Sequence, residues 1–202
     1  MVRSLEQNSS ILSVALLVAL AALLVLSPAE ATLGNVVKIV YLHGATERIS
    51  TYAFLLAALI GIAQIVFTRP ALARWTRASL ETAIVFWLAE ILVSLPAQVL
   101  AWGGLVLNEP RVIGAIWILG LAVLVYVVAR WLDDPNWMAL SACAALAIVF
   151  VVLKSGINIL HPFSPIVASD SMAIKVFYAA IVVITGALAV QFARFRAGAK
   201  AV

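Results

Sequence analysis

Six apolar runs, separated by short polar breaks, cover most of the chain. They lie near residues 10–26, 49–67, 82–101, 112–132, 138–153 and 173–192. A bilayer core of about 30 Å needs about 20 helical residues at about 1.5 Å each, and each run approaches that length. The runs are continuous and rich in Ala and Leu rather than alternating, so they predict helices and not barrel strands. Six such spans occupy about 120 residues, and the rest makes short loops and ends. The expectation is an all-α integral membrane protein, a six-transmembrane-helix bundle forming one domain over residues 1–202. No internal repeat stands out, so an inverted-repeat transporter gains no support.

The first run has a second reading. Residues 11–26 have the length of a signal-peptide core, and Ala29-Glu30-Ala31 imitates an A-x-A cleavage site. The flanking Arg3 and Glu6 cancel, whereas a signal peptide carries a positive n-region. The segment is therefore expected to remain as a true span.

Composition agrees with the pattern. Apolar residues make up 65% of the 202 and charged residues 11%, with a mean hydropathy of +1.15. A soluble domain averages roughly 45–50% apolar and roughly 25% charged residues, so the surplus here must face lipid. Disorder, nucleic-acid binding and an ordinary soluble enzyme are excluded on the same ground. The lipid bilayer is the first partner.

Lys and Arg set the expected orientation. One side would hold Arg3, Arg69, Arg74, Arg77, Arg130, Arg194, Arg196 and Lys200, and the other Lys38, Arg48, Arg111, Lys154 and Lys175. The first side is the richer, which puts both termini and the 68–79 loop in the cytoplasm. Loops 28–48, 102–111 and 154–172 then face outward.

Both histidines gather on that outer face. His43 lies just before the second span and His161 just after the fifth, with an even number of spans between them. They therefore share a side whatever the orientation. Two imidazoles on one side suit axial ligation of a haem iron, and equally suit ordinary interfacial anchors. Residues 34–43 read as a short interfacial helix delivering His43 at bilayer level, with Val36, Val37, Val40 and Tyr41 at near-helical spacing. Pro162 and Pro165 stop the fifth span near His161. A third outer element runs from Trp102 to Arg111, with Gly103, Gly104 and Pro110 marking a turn and Glu109 and Arg111 supplying charge. Arg111, Arg48 and Lys38 suit a ligand carboxylate such as a haem propionate, or lipid phosphates.

These three pieces resemble the cytochrome c assembly family of haem-handling membrane proteins, the CcmC and CcsA type. That family has a histidine in a YIH-like motif, which reads Tyr41-Leu42-His43 here. It has a second histidine in an NTLH-like motif, which reads Asn158-Ile159-Leu160-His161 here. Between them lies a WGxWWxWDxR segment, matched here by Trp102, Gly103 and Arg111, with Glu109 in the aspartate's place. The order and spacing match from about residue 34 onward, and six spans suit the smaller CcmC type. Three of the motif's tryptophans are replaced, by Leu105, Val106 and Asn108, which removes stacking surface for a porphyrin.

The resemblance implies haem b held by His43 and His161 as axial ligands, with Trp102, Arg111 and Arg48 at the porphyrin edge. It also implies a bacterial inner membrane, a haem acceptor or other membrane subunits as partners, and haem handling rather than substrate turnover. Two other readings keep the same residues: a b-type cytochrome electron-transfer subunit, and a haem-free structural subunit of a larger membrane complex.

Other residues have simpler expectations. Glu90 sits inside the third span, where a carboxylate is costly; a polar contact with Gln64 or Gln98 competes with a proton-handling role. Pro96 is expected to kink that span. Cys143 is the sole cysteine, which excludes an intramolecular disulfide, and it lies among small residues suited to close helix packing. Asp133-Asp134-Pro135 predicts a turn and helix start, and Trp75, Trp131 and Trp137 suit an interfacial aromatic belt. There is no Gly-rich phosphate loop, H-E-x-x-H or C-x-x-C, which disfavours nucleotide-driven and hydrolytic chemistry.

Overall fold

In the computed structural model, residues 2–156, 166 and 169–198 are described. Six helices follow in order: α1 (Val2–Leu26), α2 (Val37–Phe67), α3 (Pro70–Trp102), α4 (Pro110–Leu132), α5 (Pro135–Ser155) and α6 (Met172–Gly198). Among the described residues, the one pairing of β type is an isolated bridge between Glu30 and Gly34.

The helix breaks are written in the sequence. α2 ends where Thr68 enters the left-handed region at φ 48°, and Pro70 then starts α3. α3 ends at Gly103, φ 76°, a conformation that glycine adopts without steric cost. Asp133 at φ 49° closes α4, Asp134 Oδ1 accepts from the Asn136 amide at 2.6 Å, and Pro135 opens α5. Each proline stands where its missing N–H would have had no helical partner. The Asp133–Pro135 turn is as expected. The 68–79 loop is not: two residues make the break, and the rest is already helix α3.

Among the described residues, five helices, α2 to α6, are long and apolar enough to cross a membrane. The apolar part of α1, Ser10–Leu26, is shorter, about 25 Å of helix against a core of about 30 Å. Large apolar side chains face outward along the spans, among them Leu55, Leu59 and Ile62 on α2 and Trp117, Leu124 and Val127 on α4. Such outward apolar faces suit the lipid bilayer around a multi-pass membrane protein.

α2 packs most extensively on α3 and then on α5. Small residues allow this. A Cβ on Gly61 would lie 3.0 Å from the Ala139 carbonyl oxygen, so α2 and α5 meet backbone to backbone. The main core joins α2 to α5 through Phe54, Leu80, Trp87, Ile118 and Val149, with alanines filling the gaps. Trp87 packs edge-on against Phe54 with ring centroids 6.0 Å apart, and its Nε1 donates to the Ala115 oxygen at 2.9 Å. Cys143 belongs to this packing, with Sγ 3.9 Å from the Ala58 oxygen. α3 runs through Pro96 as one helix.

A smaller core ties α1 and α6 to the start of α2 around Tyr41, Ala45, Tyr178 and Ile181. Tyr41 is fully buried, stacks obliquely on Tyr178 at 6.2 Å and donates to the Pro28 oxygen at 3.2 Å. Lys38 Nζ donates to the Val25 oxygen at 2.6 Å, which satisfies a carbonyl at the end of α1. Far from the histidine end, Glu81 joins three helices: Tyr126 of α4 donates to Oε1 at 2.5 Å and Arg196 of α6 to Oε2 at 2.5 Å.

Candidate functional site

His43 is not delivered by a separate interfacial helix. Residues 37–43 are the first two turns of α2, which continues unbroken to Phe67, so the imidazole is fixed by a long packed helix. Its side chain is 14% exposed. Its Nδ1 lies 3.5 Å from Oε1 of Glu90 on α3, whose side chain is 8% exposed.

The pair forms part of the wall of a cavity of about 1080 Å³, counting its open mouth. Trp87, Ile91, Ala97, Val112 and Ala115 supply apolar wall, and Trp102 and Arg111 line it from the end of α3 and the start of α4. Four further polar groups, Glu47, Ser94, Gln98 and Glu109, face the same space.

Each of these positions has a local cause. Glu47 follows His43 by one helical turn, so both share a face of α2. Glu90, Ser94 and Gln98 recur at four-residue spacing and form a polar stripe on α3. Glu109 caps α4: its Oε2 accepts from the amides of Arg111 at 2.6 Å and Val112 at 3.0 Å. Gln98 Oε1 accepts from the Val106 amide at 3.1 Å, which pins the 103–108 loop over the end of α3.

Buried atoms of this wall that make no hydrogen bond among the described residues include Glu90 Oε2, Gln98 Nε2 and Glu109 Oε1, and the 3.5 Å approach of His43 Nδ1 to Glu90 is an ion-pair contact rather than a hydrogen bond. Desolvating such groups is expensive, so a polar ligand group at the cavity would recover that cost.

The structure thus brings together His43, Trp102 and Arg111. It does not bring Arg48 to them. Arg48 sits over the Tyr178 ring, 5.4 Å from its centroid, because it leaves α2 toward α6 rather than toward α3. Lys38 and Tyr41 likewise serve the α1–α6 side. Leu105, Val106 and Asn108, where the family motif has tryptophans, do not line the cavity. His161 and Asn158 lie outside the described residues. Glu90 pairs with His43 rather than with Gln64 or Gln98; Gln64 donates instead to the Pro135 oxygen.

The sequence reading missed Glu47, and it named Gln98 only as a possible contact of Glu90. Their signal was present as helical spacing from His43 and Glu90, and it required placing His43 inside the helix.

The lining suits some ligands and not others. Among the described residues, no group of three or more His, Cys, Asp or Glu side chains stands ready for a bare metal ion. A haem iron asks less of the protein, since the porphyrin supplies four nitrogens and the chain only axial donors. An imidazole such as that of His43 has the chemistry of an axial donor. Its Nδ1 lies beside Glu90, and a carboxylate so placed can orient a histidine ligand. The apolar walls and the arginine match the remaining chemistry of a porphyrin with acidic side chains.

No protein-family model matches the chain, and no curated protein matches it.

Proposed function

We propose that the chain is a haem-binding membrane protein of the cytochrome c maturation type. His43 would be an axial ligand, Trp102 would lie at the porphyrin edge and Arg111 would meet the propionates. His161 is the proposed second ligand, on the family resemblance and the even span count. The observation that carries the reading is the His43–Glu90 pair in an apolar cavity shared with Arg111. Glu90 stands 3.5 Å from Nδ1 and would orient the imidazole. When bound, haem supplies one-electron redox chemistry, and the protein sets its ligands, burial and access.

The proposed setting follows the charge bias: termini in the cytoplasm, the cavity at the outer face of a bacterial inner membrane, and a haem acceptor or other membrane subunits as partners. A second reading retains the haem for electron transfer as a b-type cytochrome subunit. The burial of His43 in a packed helix favours it, since a ligand fixed this firmly suits retention better than release.

Absorption spectra of the purified protein, oxidised and dithionite-reduced, test the proposal beside His43→Ala and His161→Ala. A Soret band with sharp reduced α and β bands, lost in either variant, is expected. Protein from haem-replete cells with no Soret band overturns it. Stripping of the haem by an apo-acceptor then separates handling from electron transfer.

A further inference from the structure

A second cavity lies at the opposite end of the bundle, among the start of α3, the end of α4 and the start of α5. Its volume is about 610 Å³ with its open side, and its wall carries Arg74, Arg77, Arg130, Asp133 and Asp134. Arg74 and Arg77 are three residues apart on α3, so they share a face, and Arg130 meets them from α4.

The charges there are incompletely matched. Asp134 already uses Oδ1 as the cap of α5. Arg77 stands 3.6 Å from Glu81 Oε1, but its Nε is buried and makes no hydrogen bond among the described residues. Glu81 is itself shared with Arg196 and Tyr126. Neither Arg74 nor Arg130 forms an ion pair among the described residues. Three guanidiniums and two carboxylates therefore face the site, and one of the carboxylates already caps α5.

Three tryptophans fix the depth. Trp75 and Trp131 adjoin Arg74 and Arg130 in sequence, Trp137 follows Pro135 by two, and all three are exposed, at 38%, 83% and 50%. Exposed tryptophans on spanning helices collect at the headgroup level of a bilayer. We propose that this cavity binds the phosphate of an anionic phospholipid, held by Arg74, Arg77 and Arg130, with the acyl chains leaving along the bundle. Guanidinium forks match phosphate oxygens, and basic pockets between spanning helices at headgroup level take acidic lipids.

Native mass spectrometry of the detergent-solubilised full chain tests this, with phosphatidylglycerol, phosphatidylcholine or inorganic phosphate added. One retained phosphatidylglycerol per chain is expected, against weak retention of phosphatidylcholine. Arg74→Gln with Arg130→Gln should lower phosphatidylglycerol affinity by on the order of tenfold or more, since each basic residue contributes separately. Both side chains are exposed, so the double variant keeps its helices by far-UV circular dichroism. Arg69→Gln, outside the cavity, should bind as the parent does. Equal retention of both lipids, or undiminished binding in the double variant, overturns the proposal. Displacement of the lipid by millimolar inorganic phosphate would assign the cavity to a free anion and overturn the lipid.

Discussion

His43 Nδ1 and Glu90 Oε1 stand 3.5 Å apart, joining the second helix to the third at the wall of an apolar cavity. Forty-seven residues separate them in the chain, and both side chains are largely buried. A buried carboxylate near a potential ligand histidine fixes the tautomer and the ring plane. Under the proposed haem-binding function, Glu90→Leu removes that partner and is expected to weaken haem binding roughly 10–100-fold. Glu90→Gln keeps a polar oxygen facing Nδ1 and should retain most of the affinity. Titration of the apo-protein with haemin, followed at the Soret band, measures both. Parent-like binding by Glu90→Leu would reduce the carboxylate to a packing element.

Much of this arrangement is legible in the sequence. Helix number and type followed from run length, and the prolines at 70, 110 and 135 mark where α3, α4 and α5 begin. The grouping of His43 with Trp102 and Arg111 followed from the expected sidedness of the loops and a motif resemblance. What escaped was lateral direction. Arg48 and Glu47 are neighbours in sequence, yet one turns to Tyr178 of α6 and the other to the cavity. Helical phase decides that, and phase cannot be assigned to a segment taken as a short separate helix. The Glu81–Arg196 contact crosses 115 residues and depends on which helices are neighbours, which periodicity does not encode.

Close helix approach gives a prediction free of any ligand. At Gly61 an added Cβ would meet the Ala139 oxygen at 3.0 Å and its Cα at 3.2 Å, both backbone atoms that cannot rotate away. Gly61→Ala should destabilise the protein by about 1–3 kcal/mol, the usual cost of overpacking. At Gly120 nothing lies within 4 Å of the same added atom. Gly120→Ala is therefore expected to be neutral or slightly stabilising, since alanine is the better helix former. Thermal unfolding in one detergent separates the two, and equal midpoints would contradict the α2–α5 packing.

Glu81 offers a test of the tie among α3, α4 and α6. Its carboxylate is 9% exposed and accepts from both Tyr126 and Arg196. Glu81→Gln removes the charge that both hydrogen bonds serve and leaves Arg77 without its ion-pair partner. A loss of about 1–3 kcal/mol is expected, the range for hydrogen bonds to charged groups. Arg196→Ala should cost less, because that side chain is 37% exposed and water compensates it. Denaturant unfolding of both variants gives the order, and a larger loss for Arg196→Ala would refute it.

The turn between α1 and α2 should respond to acid through Glu30. Its Oε2 accepts from the amides of Leu33 at 2.8 Å and Thr32 at 2.9 Å, and these bonds hold its pKa below the ordinary 4.5. Hydrogen bonding to the charged form lowers a carboxyl pKa. A group whose folded pKa is depressed adds stability above its unfolded value and loses it as pH falls through the folded one. The turn should therefore hold at neutral pH and loosen only on acidification below 4.5. Carbon-13 NMR of the Glu30 carboxyl, assigned by its absence in Glu30→Gln, reads the midpoint directly. A midpoint at or above 4.5 would show that the amides of Thr32 and Leu33 do not hold the carboxylate in solution.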